Sequence, residues 1–97
     1  MARFYDNIEI YKLSYNFVFD IYNVTINFPK SEDNNLTWQM RRAAVSVPIN
    51  IVDGSTRHSE KAFLNFLTYA YGSVKELEVL LSISKDLGYI DKKKYSQ

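Results

Sequence analysis

The sequence has 97 residues, of which 46% are hydrophobic and 15% aromatic, so we expect one domain (1–97) with more bulky apolar surface than its modest core hides. The net charge of +1 provides no global field that would draw the chain onto nucleic acid or an anionic membrane. Because no cysteine is present, disulfides, thiolate nucleophiles and thiolate metal sites are excluded.

The first residues lack a secretory apolar segment, and no apolar run approaches the roughly 20 residues that span a bilayer. We therefore expect a cytoplasmic protein without a membrane partner.

Sparse glycine and proline residues divide the sequence into long stretches with helical spacing of apolar residues. This spacing predicts helices over about 8–28, 35–53 and 60–87, with the start of a fourth at about 92. Asn34 or Asn35 is expected to cap the second helix, Ser59 to cap the third, and Gly88 to end it. Pro48 interrupts the second helix, but the apolar spacing continues beyond it, which predicts a kinked helix.

The first two helices each carry two apolar sides. In the first helix, the stripe expected to face the core comprises Ile10, Leu13, Phe17, Ile21, Val24 and Phe28. A second stripe lies beside it, and the second helix also has an additional apolar side. We predict that these additional sides form an oligomer interface, in which the residues to test are Tyr11, Tyr15, Tyr22, Trp38, Val45 and Ile49.

Catalytic chemistry has little support in the sequence. The single histidine, His58, has no carboxylate at metal-ligand spacing, and the three glycines are isolated, which excludes a glycine-rich phosphate loop. We expect no catalytic residue, cofactor, metal or small-molecule substrate, and therefore no enzyme. Gly72 lies in the middle of the third helix, where glycine costs about 1 kcal/mol relative to alanine, which predicts close approach by another helix.

Four basic residues are candidates for contacting RNA or DNA, because guanidinium groups bind phosphate in a bidentate manner. They are Arg41, Arg42, Arg57 and Lys61. The alternative, which we favour, is that they form salt bridges between helices or between subunits.

Residues 41–81 carry several motifs in order: paired arginines, Ser-x-Pro-x-Asn-Ile-x-acid-Gly, Arg-x-Ser, a Phe-rich segment, and Gly-Ser before Glu-Leu-Glu. The matching residues are Arg41 and Arg42; Ser46, Pro48, Asn50, Ile51, Asp53 and Gly54; Arg57 and Ser59; Phe63, Phe66 and Leu67; Gly72, Ser73, Glu76, Leu77 and Glu78. In kind and spacing, these motifs resemble a bacterial family of four-helix bundle proteins first noticed in intervening sequences of 23S rRNA genes. The resemblance covers nearly the whole chain.

The resemblance implies an all-α, up-and-down antiparallel four-helix bundle that assembles into a ring-like homopentamer without known enzyme activity. Asp91 is expected to cap the fourth helix, yet the sequence stops at Gln97, so we expect that helix to be short or missing. We therefore predict a homo-oligomeric scaffold or interaction protein. The family's relatives include the accessory protein of diversity-generating retroelements, which implies the alternative of a nucleic-acid-binding accessory protein, although the net charge of +1 disfavours it.

Overall fold

The computed structural model describes residues 8–91, and every regular element in that range is helical. Helix α1 is Ile8–Thr25, α2 is Leu36–Ser55 and α3 is Glu60–Asp86, and a short 3-10 helix, Lys30–Glu32, lies between α1 and α2. The predicted all-α class is therefore confirmed for the described part of the chain. The predicted start of a fourth helix at about residue 92 lies outside the described residues.

Helix α2 is the central element, because it packs against both α1 and α3. One core cluster joins Ile21 near the end of α1 with Met40 near the start of α2 and Leu77 in the second half of α3. A second cluster joins Tyr11, Ile51 and Leu67 at the opposite end. Successive helices therefore run antiparallel, up, down and up.

The first helix ends at Thr25, three residues before the end that the sequence predicted. Pro29 disfavours the helical conformation at Phe28, and the Phe28 N–H donates to the Thr25 carbonyl at 3.0 Å in a turn. The Thr25 hydroxyl donates to the carbonyl of Ile21 at 2.8 Å. Phe28 itself is buried in the first core cluster, so its predicted position in the core stripe is correct although it lies outside the helix.

The backbone N–H groups at the start of α2 are capped by a different side chain from the one predicted. Asn35 occupies the N-cap position, but its side chain makes no capping hydrogen bond, because its Oδ1 accepts from Gln39 Nε2 at 2.8 Å. Instead, Glu32 Oε1 accepts from the N–H of Leu36 at 3.3 Å. A carboxylate in this position also favours the helix dipole.

Helix α2 continues through Pro48 to Ser55. Val47 and Ile51, on either side of the proline, are both buried in the second core cluster. Burial of these side chains offsets the backbone hydrogen bond that the proline removes, which in a solvated helix would cost about 3 kcal/mol.

The residues predicted to cap α3 at its two ends are confirmed, and the helix ends at Asp86, one residue before the predicted end. Ser59 is extended, with φ −107° and ψ 146°, and its hydroxyl accepts from the N–H of Ala62 at 3.1 Å. At the other end, Gly88 has φ 83°, and the N–H of Tyr89 donates to the carbonyl of Ser84 at 2.9 Å. This is a Schellman motif, whose left-handed residue favours glycine.

The predicted core stripe of α1 is only partly buried. Ile21 is 1% exposed, whereas Ile10 is 50% and Leu13 is 70% exposed. Periodicity correctly placed these residues on one side of the helix, but no described residue covers the first half of that side. The prediction was therefore wrong for Ile10 and Leu13.

The close helix approach predicted at Gly72 occurs at Gly54 instead. A Cβ at Gly54 would lie 2.9 Å from the Cβ of Phe66, whereas a Cβ at Gly72 would meet no described atom within 4 Å. Gly54 therefore allows α2 to approach α3 at this end, and Gly72 lies in an exposed position.

Candidate interaction surfaces

An apolar groove lies between α1 and α2, with a volume of about 390 Å³. Four of the six predicted interface residues line this α1/α2 groove, namely Tyr11, Tyr15, Val45 and Ile49. The other lining residues are Val18, Phe19, Pro48, Val52 and Asp53. Asp53 is the one charged member of this lining, which otherwise offers aliphatic and aromatic carbon to a partner.

On the α1 side of the groove, three aromatic rings contact one another in succession along the helix. The ring centroids of Tyr11 and Tyr15 are 5.9 Å apart, and those of Tyr15 and Phe19 are 5.4 Å apart in an edge-on arrangement. Such arrangements are favourable for aromatic pairs, so the rings support one another while their outer sides face solvent. Sequence analysis did not select Phe19, although its spacing of four residues from Tyr15 was a usable signal.

The α2 wall follows a coiled-coil spacing. Its outward residues recur at alternating intervals of four and three, as expected for a side that packs along another helix. They are Trp38, Arg42, Val45, Ile49 and Val52. Trp38 is 55% and Ile49 is 52% exposed, so within the described chain this side has no helix packed along it.

Arg41 holds α1 against α2. Its Nε donates to the hydroxyl of Thr25 at 2.9 Å, and its guanidinium carbon lies 4.5 Å from the ring centroid of Tyr22. The side chain is half-buried. These contacts give Arg41 a structural role within the chain, through a hydrogen bond and a cation–π contact rather than a salt bridge.

The other three basic candidates are exposed and lie at two separate places. Arg42 lies 5.7 Å above the ring of Trp38 near the start of α2, and Arg57 lies 4.5 Å above the ring of Phe66 beyond its end. Lys61 lies near Arg57 in the first turn of α3. From Arg42 to the end of α2 is about 20 Å of helix, so a single chain does not bring the four residues into one patch.

A second set of exposed apolar residues, which we name the α1/α3 groove, lies on the first and third helices. Its α1 members are Ile10 and Leu13, and its α3 members are Leu64, Tyr71 and Val74. The residues on each helix recur at intervals of three, four or seven, which is typical of a side that packs against another helix.

The outer side of α3 forms a third surface, which we call the α3 outer strip and define as Lys75, Val79, Ile83 and Asp86. These residues line a shallow depression of about 450 Å³ together with Glu78 and Ser82. Lys75 Nζ lies 2.9 Å from Glu78 Oε1, and this hydrogen-bonded pair raises the pKa of Lys75. The strip has only two apolar members, flanked by Lys75 and Asp86, so no apolar stripe in the sequence indicated it.

Within the described residues, no group of histidine and carboxylate side chains is arranged to hold a metal ion. None of the described helices is long and apolar enough to cross a membrane.

Comparison with known proteins identifies the family of this chain. The family model described as 23S rRNA-intervening sequence protein matches residues 6–97. No curated protein matches the chain.

Proposed function

Because this chain belongs to the 23S rRNA-intervening sequence protein family, we propose that it is a non-enzymatic, homo-oligomeric interaction protein of the cytoplasm, with a pentamer as the expected assembly. The observation that supports association is the α1/α2 groove, in which aromatic and aliphatic residues of both helices face solvent. Contiguous exposed apolar residues rimmed by polar ones often mark sites of protein–protein interaction.

The energy available from covering the groove is comparable with the cost of association. Tyr15, Phe19 and Trp38 are each about half exposed. Covering the exposed half of one such ring removes about 100 Å² from water, which is worth about 2.5 kcal/mol. Three such rings together contribute about 7.5 kcal/mol, which lies within the range of roughly 4–15 kcal/mol that association costs in lost freedom.

The α1/α3 groove has a different proposed occupant, a fourth helix that would complete an up-and-down four-helix bundle. Ile90 is buried in the first core cluster, at the end of the molecule where α3 stops. A fourth helix that starts at this end and runs back along α3 would need about 17 residues, or about 25 Å, to reach the level of Val74, and more to cover Leu13 and Ile10. The α1/α2 groove would remain open for another copy of the chain.

Light scattering at micromolar concentration tests the proposed oligomer. We expect a mass near five times the 11.4 kDa of one chain. Substitution of Tyr15→Glu together with Ile49→Glu should yield monomers, because charge is then buried against an apolar partner surface. Asn16→Glu, on the exposed polar side of α1, is the matched control and should leave the mass unchanged. A wild-type chain that is only monomeric would contradict the proposal.

Nucleic-acid binding is the second candidate function, and the pairing of Arg42 with Trp38 favours it. An exposed indole beside a guanidinium offers both stacking and phosphate contact, and an oligomer repeats this pair in every subunit. Affinity for structured RNA or duplex DNA should fall steeply as salt rises, and Arg42→Ala should weaken it. Absence of binding at low ionic strength would reject this candidate.

A further inference from the structure

The α1/α2 groove and the α3 outer strip are different surfaces on different sides of the molecule. The sides of α2 and α3 that face each other are joined by a hydrogen bond from the Ser46 hydroxyl to the Ser73 hydroxyl. The strip lies on the side of α3 opposite buried Leu77, and so it points away from α2. One chain therefore presents two unlike apolar surfaces, each able to face another copy.

Each of these two surfaces has a positive residue near one end and a negative residue near the other, and the sequence separation between them is the same on both helices. On α2, the outward residues Arg42 and Asp53 are eleven positions apart, and on the strip Lys75 and Asp86 are also eleven positions apart. Each interval corresponds to about 16 Å of helix. In both helices the positive residue comes first, so an antiparallel arrangement brings Lys75 to Asp53 and Asp86 to Arg42.

The same antiparallel register pairs the apolar residues. When Lys75 lies opposite Asp53, Val79 falls opposite Ile49 and Ile83 falls opposite Val45. Val79, Ile83 and Ile49 are exposed and Val45 is half-buried, so these side chains have surface to bury. A parallel arrangement would oppose like charges at both ends, which costs association energy.

We propose that copies of this chain associate head to tail, with the α3 outer strip of one copy docking antiparallel into the α1/α2 groove of the next. The inference rests on the proposed function, because it specifies how the homo-oligomer forms. The two surfaces differ, so the contact is heterologous and generates a ring or an open chain rather than a two-fold dimer. Lys75 then lies between Glu78 of its own copy and the partner's Asp53, so one ammonium group is shared by two carboxylates.

A mixing experiment tests this arrangement. The variant Val45→Glu with Ile49→Glu blocks the groove, and the variant Val79→Glu with Ile83→Glu blocks the strip. Each variant alone should be monomeric in light scattering, with circular dichroism showing that it keeps its helices. An equimolar mixture retains one intact strip and one intact groove per pair, so it should form a one-to-one dimer and nothing larger.

Charge reversal tests the register. Lys75→Asp and Asp53→Lys should each weaken association at least about tenfold at low ionic strength, because like charges are then opposed. The double variant should recover most of the loss. Lys85→Asp, an exposed change of the same charge on another side of α3, is the matched control and should have little effect.

The outcomes separate this inference from the proposed function. If the wild-type chain is monomeric, the proposed oligomer itself is contradicted. A wild-type oligomer that persists when the strip is blocked would overturn the head-to-tail docking while leaving the oligomer in place. Recovery in the charge-reversed double variant would support the antiparallel register, and loss without recovery would overturn it.

Discussion

The two ends of the helical bundle differ in how completely the chain covers its own apolar residues. At the closed end, which we define by the core cluster around Ile21, Met40 and Leu77, all three helices contribute buried side chains. At the open end, which contains the cluster of Val47, Ile51 and Ala70, only α2 and α3 supply its fully buried members. The difference distinguishes residues that maintain the fold from residues available to a partner.

The connecting segments reinforce this difference. At the closed end, the rings of Phe28 and Tyr89 lie 5.3 Å apart, and the Tyr89 hydroxyl donates to Glu32 Oε2 at 2.9 Å. The α1–α2 connection and the segment after α3 are thereby joined over the core. At the open end, Ile10 and Leu13 on α1 face solvent, and so does Leu64 on α3.

The largest expected effect is the difference in stability between two leucine-to-alanine variants, one at each end of the bundle. Leu77→Ala at the closed end should lower the free energy of unfolding by about 3 kcal/mol, because it leaves a cavity in a core position that is 1% exposed. Leu13→Ala at the open end should change it by no more than about 0.5 kcal/mol. Urea unfolding measures both substitutions when each is introduced into the monomeric Tyr15→Glu, Ile49→Glu variant. Equal losses would contradict the division into two ends.

A smaller effect is expected where the open end is tightly packed. Gly54→Ala places a methyl group 2.9 Å from the Cβ of Phe66, which should destabilise the protein by about 1–3 kcal/mol. Gly72→Ala meets no described atom and should stabilise α3 by about 0.5–1 kcal/mol. Thermal unfolding should therefore show shifts of opposite sign. A neutral Gly54→Ala would indicate that the α2–α3 contact can relax.

Loss of the side-chain cap at the start of α3 should change the free energy of unfolding by about 1 kcal/mol. Ser59→Ala removes the oxygen that accepts from the N–H of Ala62, so the free energy of unfolding should fall by about that amount. Ser82→Ala, at an exposed position on the same helix, is the matched control and should be close to neutral. Hydrogen exchange at the first turn of α3 should increase in Ser59→Ala alone.

The smallest expected effect is a change in the pH dependence of folding stability, caused by a residue at the closed end. The hydrogen bond to Glu32 raises the pKa of Tyr89 above its ordinary value. The unfolded chain therefore releases this proton first, so stability from this residue is present below about pH 10 and declines as the pH rises beyond it. Tyr89→Phe should lack this alkaline decline. Melting temperatures of both proteins between neutral pH and pH 11 provide the measurement, and parallel curves would contradict it.

Local features of the fold were predictable from the sequence. Ser59 and Gly88 were recognised because capping and left-handed turns depend on a few adjacent residues. The all-α class and the burial of Ile21 followed from helical periodicity. Periodicity also grouped Ile10 and Leu13 with Ile21, but it identifies residues that share a side of a helix and not whether another helix covers that side.

Features that depend on contacts distant in sequence were not predictable. The hydrogen bond between Glu32 and Tyr89 has no local signature, because 57 positions separate the two residues. The choice between Gly54 and Gly72 depended on where two helices cross. In the α1/α2 groove, Tyr15 and Ile49 were predicted from the sequence, and Phe19 was missed although its spacing from Tyr15 was a usable signal. Asp53 was not predictable, because the sequence does not specify how α1 lies against α2.

The contact between Tyr89 and Glu32 has a consequence for the order of folding. It joins residues 57 positions apart, whereas α2 and α3 are separated by a four-residue connection. Because closing a long loop costs more entropy than closing a short one, the α2–α3 hairpin should form first. Docking of α1 and closure of the Tyr89 contact should follow. We therefore expect Ser59→Ala to slow refolding, and Tyr89→Phe to change mainly the rate of unfolding.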